Sequence, residues 1–443
     1  MRHTFISAGA VLSLASTAFA GGLMHNTNQS IDFVRNFAQD ASTGTQAVYY
    51  NPAGLAFGMD GWHIAVHNQT IWQTRTITAD GLGEYDGEAF VPAMPSLMVD
   101  LHRGSWNAFA AFMVIGGGGS VEFDEGVPII DALLGSTLKA KLGTNKSLPG
   151  LMDQYGLSTT DLYSASFTGT QYVFGGLLGG TYQISDMFSV TIGARINYAV
   201  NSYKGEMESS LDPELENVLG KEMYAGLSKQ LNQTLLDCEQ TGWGITPIIG
   251  AHFHYKNFDA GVKYEHNTSI EVENDTKEIA DDVAMALPQF IDGKKSDNDM
   301  PGFLSVGLAF APMEWVRASV GYHLYLDKFA DYPQNKEDML DKDEKEFVFG
   351  FEVDPLQKLT LSLGVQRTLF GLTDEYVEDL GYNLNSWSFG GGFAVKITDY
   401  FKVQAGYMIT LYESRTETDT FTHLKTKYER TSNNVGIGFN LDI

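Results

Sequence analysis

The sequence predicts an all-β chain: a fourteen-stranded antiparallel transmembrane β-barrel with an N-terminal plug inside its lumen. Three observations predict it. Segments of roughly ten residues alternate strictly between apolar and polar side chains, the period of a half-buried strand. Very short connections alternate with long polar ones, and aromatic residues gather at the segment ends, as in barrels that stand in lipid. Residues 21–60 precede the first segment and show no strand period.

The chain opens Met1-Arg2-His3, runs apolar and small to Phe19, and closes that run with Ala18-Phe19-Ala20. This is a secretory signal with an A-x-A site, so cleavage after Ala20 leaves residues 21–443. No later segment gives the roughly 20 apolar residues of a spanning helix. Export without a helical anchor leaves the periplasm, the extracellular space or a barrel in the bacterial outer membrane, and the strands favour the last.

Residues 21–60 carry Ile31, Phe33, Val34 and Phe37, which need burial, and an internal plug buries them. The segment closes on "AVYYNPAGLAF". There Asn51 can cap a short turn, Pro52 can occupy its first helical position, and Gly54 frees the chain to leave it.

Residues 61–443 form the barrel. Fourteen alternating segments begin at 61–76 and 87–101, include 104–119, 258–273 and 301–312, and end at 427–443. In the last, Val435, Ile437, Phe439, Leu441 and Ile443 share one face, opposite Gly436, Gly438, Asn440 and Asp442. An even number lets the last strand pair with the first, leaving no open edge in lipid. A soluble sandwich would also alternate. The girdle residues Trp62, Trp72, Tyr182, Tyr255, Phe258, Trp315, Tyr400 and Phe401 and the turn pattern decide for the barrel. Long external loops fall near 121–165, 205–240 and 274–300. Two of them, "VPIIDALLGSTLKAKL" and "DPELENVLGKEMYAGLSKQLNQTLLDCEQ", read as partly helical. Such helices form either an apolar rim over the lumen or packing for neighbouring loops.

A formal charge of −26 argues against nucleic acid as a partner. The lone Cys238 excludes an internal disulfide. No cofactor and no metal site is expected, and the chain reads as a monomer.

A signal peptide, a short plug, "NPAG" ahead of strand one and fourteen strands together resemble the FadL family of outer-membrane transporters for long-chain fatty acids and other hydrophobic compounds. "DAS…AVYYNPAGLAF" is similar to the family's plug motif, and "MPGFLSVGLAFAPMEWVRASVGYHLYLDKF" to its strands eight and nine. The resemblance implies that Asn51, Pro52, Ala53 and Gly54 belong to the hatch. It also implies that Gly116, Gly117, Gly118 and Gly119, which interrupt strand three, mark an inward kink and a lateral gate. Read without the family, the four glycines are a flexible strand end. The implied function is passive uptake of a hydrophobic ligand with sideways release into the membrane. Candidates to hold its head group are Arg195, Lys263 and Arg317 on the lumen parity, with Lys204 and Lys328 near the outer strand ends; the alternative is internal salt bridging.

The chain departs from the family in a glycine-poor plug and in ending on Ile443, with Phe439 on the same face. Its acidic loops suit either solvation or divalent-cation bridging to lipopolysaccharide. Rival readings are an outer-membrane enzyme, a barrel component of a protein-secretion assembly, and a diffusion porin. His252 and His254 share a face, but no carboxylate is expected beside them, so catalysis and catalytic residues are not assigned. The unexplained residues 21–60 argue against an open porin.

Overall fold

A computed structural model of the protein describes residues 28–124, 127–128, 162–377, 382–418 and 424–443. The expected signal peptide, residues 21–27 and nearly all of "VPIIDALLGSTLKAKL" lie outside the described residues.

The alternating segments form one closed antiparallel sheet. Its strands are β1 Gly61–Ala79, β2 Gly83–Arg103, β3 Trp106–Phe123, β4 Tyr163–Ser185, β5 Phe188–Ser209, β6 Gln233–Tyr255 and β7 in two pieces, Phe258–Glu265 and Glu271–Ile279. There follow β8 Gly302–Met313, β9 Val316–Leu326, β10 Leu340–Leu356, β11 Leu359–Leu372, β12 Ser386–Lys396, β13 in two pieces, Phe401–Tyr412 and Arg415–Thr418, and β14 Lys425–Asp442. A three-residue strand, Lys295–Asp297, adds to the outer piece of β7. Each strand pairs with the next in sequence, and β14 pairs with β1 from Asp442–His63 to Thr426–Ala79, which closes the ring.

The apolar parity faces out. Val435, Ile437 and Phe439 are exposed on β14, as are Ile192, Leu363 and Phe389 on theirs. In water this would be a large liability; in lipid it is the required surface. Trp62, Tyr182, Tyr255, Trp315 and Tyr400 stand exposed near the short-turn end, and Trp72, Trp243 and Trp387 form a second level. Trp62 and Trp72 lie ten residues apart on β1. At about 3.3 Å per residue and a tilt of about 40° this spans about 25 Å, the height of an outer-membrane apolar band. No helix among the described residues is long and apolar enough to cross a membrane.

Two expectations need correction. The second long loop is partly helical as expected, with α3 Leu215–Leu219 and α4 Lys221–Leu231, but it ends before the expected residue 240, because β6 already begins at Gln233. There Leu236, Cys238 and Gln240 face inward, and pairing with β5 (Tyr203 opposite Cys238) outweighs the helical spacing. The helices pack Leu215, Leu227 and Leu231 on the outer ends of β4 to β6, beside Tyr163, Met207 and Leu235. Second, β7 is not continuous. His266 to Ile270 leave the wall and dip into the lumen, where Thr268 and Ile270 are buried. Gly244 makes room for them: a Cβ there would strike the Ser269 carbonyl. Asp299 fixes the dip by accepting from the Ile270 N–H at 2.9 Å and the Asn267 amide at 3.0 Å.

Candidate functional site

Residues 28–57 lie inside the short-turn half of the ring. They form α1 Ile31–Arg35, α2 Ala47–Tyr50 and a 3-10 turn Pro52–Phe57. These helices are too short to persist alone in water, so the wall must hold them. Ile31, Phe33, Val34, Phe37, Val48, Tyr49 and Tyr50 are all buried in one cluster with inward wall residues such as Ile248, Met98 and Phe303.

The wall makes space for this segment by omitting side chains. From β6 to β14 every strand turns a glycine toward it: Gly250, Gly261, Gly307, Gly321, Gly350, Gly364, Gly390, Gly406 and Gly436. Several sit directly opposite one another, Gly261–Gly307–Gly321 and Gly350–Gly364–Gly390, so the bare positions make a continuous band. A Cβ at Gly364 would lie 2.8 Å from the Phe37 nitrogen, and one at Gly307 2.6 Å from the Asp40 Cβ. The alternating pattern showed glycine on the inward parity but gave no sign that it was a mould for the N-terminal segment.

Polar contacts fix the segment's register. Asn51 caps the 3-10 turn by accepting from the Ala53 N–H, with Pro52 at the first position. Its amide donates to the carbonyls of Asp40 and Ala251, each at 3.2 Å. The wall hydroxyls of Thr181 and Ser189 donate to the carbonyls of Pro52 at 2.8 Å and Ala53 at 2.6 Å. Gly54 has no room for a side chain, because a Cβ would collide with the Ser42 carbonyl. Sequence reasoning missed the ionic anchors. Asp40 accepts from His323, whose other ring nitrogen meets Glu346 at 2.9 Å. Arg35 bonds Asp32, Glu352, Ser362 and Gln404. A buried charge needs such partners, and Asp32, Arg35 and Asp40 within an apolar stretch were the available signal.

The five cationic candidates divide sharply. Arg195 and Lys263 are buried together around Glu265, at 2.7 and 2.6 Å. Lys263 also donates to the Tyr49 carbonyl at 2.8 Å and lies over the Tyr49 and Phe303 rings. Arg317 grips Asp354 through two nitrogens, at 2.8 and 2.9 Å, and reaches Glu352, which it shares with Arg35. These three therefore belong to the network that seats the segment. Lys204 points to the exterior parity and pairs with Glu206, and Lys328 sits exposed in an outer turn. One expectation fails here: carboxylates do stand beside histidines. Asp259 meets His252 at 2.9 Å and His254 at 2.7 Å, because the tight β6–β7 turn sets Asp259 opposite His254.

Gly116 to Gly119 fall within β3, where the ladders on its two sides behave differently. Toward β4 the pairing continues through two bulges, at Val114/Gly116 and Gly116/Gly119. Toward β2 it stops: Met113 pairs with Ser96 and Val121 with Ala89, and residues 114–120 and 90–95 have no partners across that seam. Gly117 and Gly119 adopt φ of +98° and +75°, a region that side chains disfavour. On β2 the same stretch holds Pro92 and Pro95, which lack an N–H to give to a ladder.

Above the N-terminal segment, the outer half of the lumen is lined by apolar and aromatic groups, among them Ile77, Tyr85, Val121, Phe123, Phe167 and Tyr428. A cavity of about 230 Å³ lies there between Gln171 of β4, Asn201 and Tyr203 of β5, Gln240 of β6 and Phe290. The charged wall thus surrounds the filled lower lumen, and the interrupted seam lies beside the apolar upper lumen.

Comparison with solved structures finds the same architecture. A Pseudomonas aeruginosa FadL homologue superposes with a TM-score of 0.65 at 10% identity, over 95% of this chain and 100% of that one. The P. putida toluene transporter TodX gives 0.57 at 14%, over 95% and 99%. The Ralstonia pickettii toluene transporter TbuX gives 0.56 at 13%, over 94% and 99%. No protein-family model matches the chain, and no curated protein sequence matches it significantly. At these identities the likeness is one of fold.

Proposed function

We propose, from the barrel fold shared with the FadL homologue and the toluene transporters, that this protein is a bacterial outer-membrane transporter for passive uptake of hydrophobic compounds, long-chain fatty acids first among them. The observation that carries the reading is the coincidence of a filled lower lumen with an interrupted wall. A ligand entering from outside meets apolar surface, then a segment that bars the way down. The β2–β3 seam is the remaining direction. Leaving sideways keeps the tail out of water, where each exposed methylene costs about 0.8 kcal/mol. Residues 21–60 act as the hatch, with Asn51 its hinge pin, and Gly116 to Gly119 act as the lateral gate. No reaction and no energy source is required. The acidic outer loops face lipopolysaccharide, and the barrel works as a monomer.

The test is uptake of a labelled long-chain fatty acid by cells lacking their own outer-membrane transporter, with and without this protein. Asn51→Ala removes three hydrogen bonds of the hatch. Gly117→Ala places a methyl against the Gln171 carbonyl in the bulged stretch. Uptake that the parent confers and Gly117→Ala abolishes in an inserted barrel supports sideways release. A correctly inserted parent that confers no uptake overturns the fatty-acid reading.

A further inference from the structure

The outer-lumen cavity carries a chemical preference. Gln171 is fully buried, and among the described residues neither its Oε1 nor its Nε2 has a partner. Around the same cavity, Asn201 Oδ1, Asn298 Nδ2 and Gln289 Nε2 are buried without partners as well, with Asn201 2% and Asn298 5% exposed. A buried polar atom left unpaired costs about 1–3 kcal/mol, so several around one space call for a guest that satisfies them. Two are acceptors and three are donors, and all belong to neutral carboxamides. Tyr203 and Phe290, with ring centroids 5.1 Å apart, give the cavity an apolar side.

Among the described residues that line the cavity, the cations are Lys294 and Lys295, at its rim. Lys295 is paired with Glu271 at 2.8 Å, with both side chains about half exposed, and Lys294 is exposed too. A carboxylate entering the cavity would shed water without gaining a dry counter-ion, which is unfavourable. A neutral group offering both a donor and an acceptor loses far less and completes the amide set. The cavity also adjoins the interrupted seam: Gln171 pairs with Gly119, and its carbonyl closes against Gly117. At about 230 Å³ it is smaller than the roughly 300–1,000 Å³ of sites that enclose a whole drug-sized ligand. It accommodates a head, leaving a tail for the apolar lining above.

We infer that this cavity is a head-group site for uncharged amphiphiles, long-chain amides or alcohols, which it selects over carboxylates. This rests on the transporter reading and narrows its substrate class. The experiment uses the full barrel in nanodiscs with radiolabelled tetradecanamide, 1-tetradecanol and tetradecanoate at pH 8. The amide and the alcohol should bind about tenfold or more tighter than the carboxylate, and Gln171→Leu should bring the ratio close to one. The amide's carbonyl stretch, isotope-shifted by ¹³C labelling, should move to lower frequency on binding the parent, a readout that needs no variant. A carboxylate preference, a ratio unchanged by Gln171→Leu, or an unshifted carbonyl would overturn the inference. Cellular uptake of hydrophobic compounds with no such head-group preference would leave the transporter reading intact. Absence of both uptake and binding would sink the reading itself.

Discussion

Glycine at the inner wall sets what the N-terminal segment can do. Gly261 faces the Asp40 carbonyl with no space for a methyl, so Gly261→Ala forces overpacking of about 1–3 kcal/mol. Since each 1.4 kcal/mol is about tenfold in an equilibrium, the population of unseated barrels should rise about five- to hundredfold. Planar-bilayer recordings should show this as more frequent conducting events. Gly176→Ala, where a Cβ meets open space, should match the parent. Acidity acts at a second residue, Asp327 in the outer turn after β9. Burial raises its carboxyl from 3.8 to about 6, partly offset by hydrogen bonds from the Glu344 N–H and the Tyr332 hydroxyl. Because the folded value lies above the unfolded one, the stabilisation is complete below about pH 4 and lost as pH rises through about 6, some 3 kcal/mol in all. Hydrogen exchange across residues 327–344, corrected for intrinsic rates, should therefore quicken between pH 4 and 7 in the parent. Asp327→Asn should flatten that dependence.

Strands were the most legible elements, since a two-residue period with one face in lipid leaves little freedom of register. Their outer ends ran further than expected because lipid patterning stops at the headgroups while pairing does not. β5 and β6 stay paired up to Met207 and Gln233. The break in β7 was invisible for a different reason. It depends on Asp299, far along the chain, whose carboxylate satisfies the Ile270 N–H in the dip. Asp299→Ala should leave that donor buried and unpaired, a loss of about 1–3 kcal/mol. Amides of residues 266–272 should then exchange roughly tenfold or more faster while β8 and β9 are unchanged. If their protection is unaltered, packing of Thr268 and Ile270 alone holds the dip. The candidate site was legible to the same degree. Asn51 and Pro52 announced a capped turn, and inward parity placed Arg195, Lys263 and Arg317. Which carboxylates they would meet is a matter of three-dimensional neighbours that spacing does not encode.

The whole molecule is two solids in one ring, a lower body of N-terminal segment and wall and an upper body of loops and apolar lining. No disulfide joins them, since the one described cysteine is free and buried. Removing residues 28–57 should leave an inserted, heat-modifiable barrel, because ring closure runs through β1 and β14 and does not use them. That barrel should conduct steadily in planar bilayers where the parent stays mostly shut; a shut barrel would locate the obstruction in the upper body. The seam between β2 and β3 bears on the ring as a mechanical object. A hoop under load yields at its weakest joint, and here the closing joint is stitched without interruption while the β2–β3 joint is unstitched at mid-height. Pro92 and Pro95 prevent it from being sewn shut by a small slip of the strands. Lateral pressure in the surrounding bilayer must therefore concentrate its strain there. If this seam is the lateral gate proposed above, its width is set partly by the lipids that squeeze it, and a change in membrane tension should alter the seam before any other part of the wall.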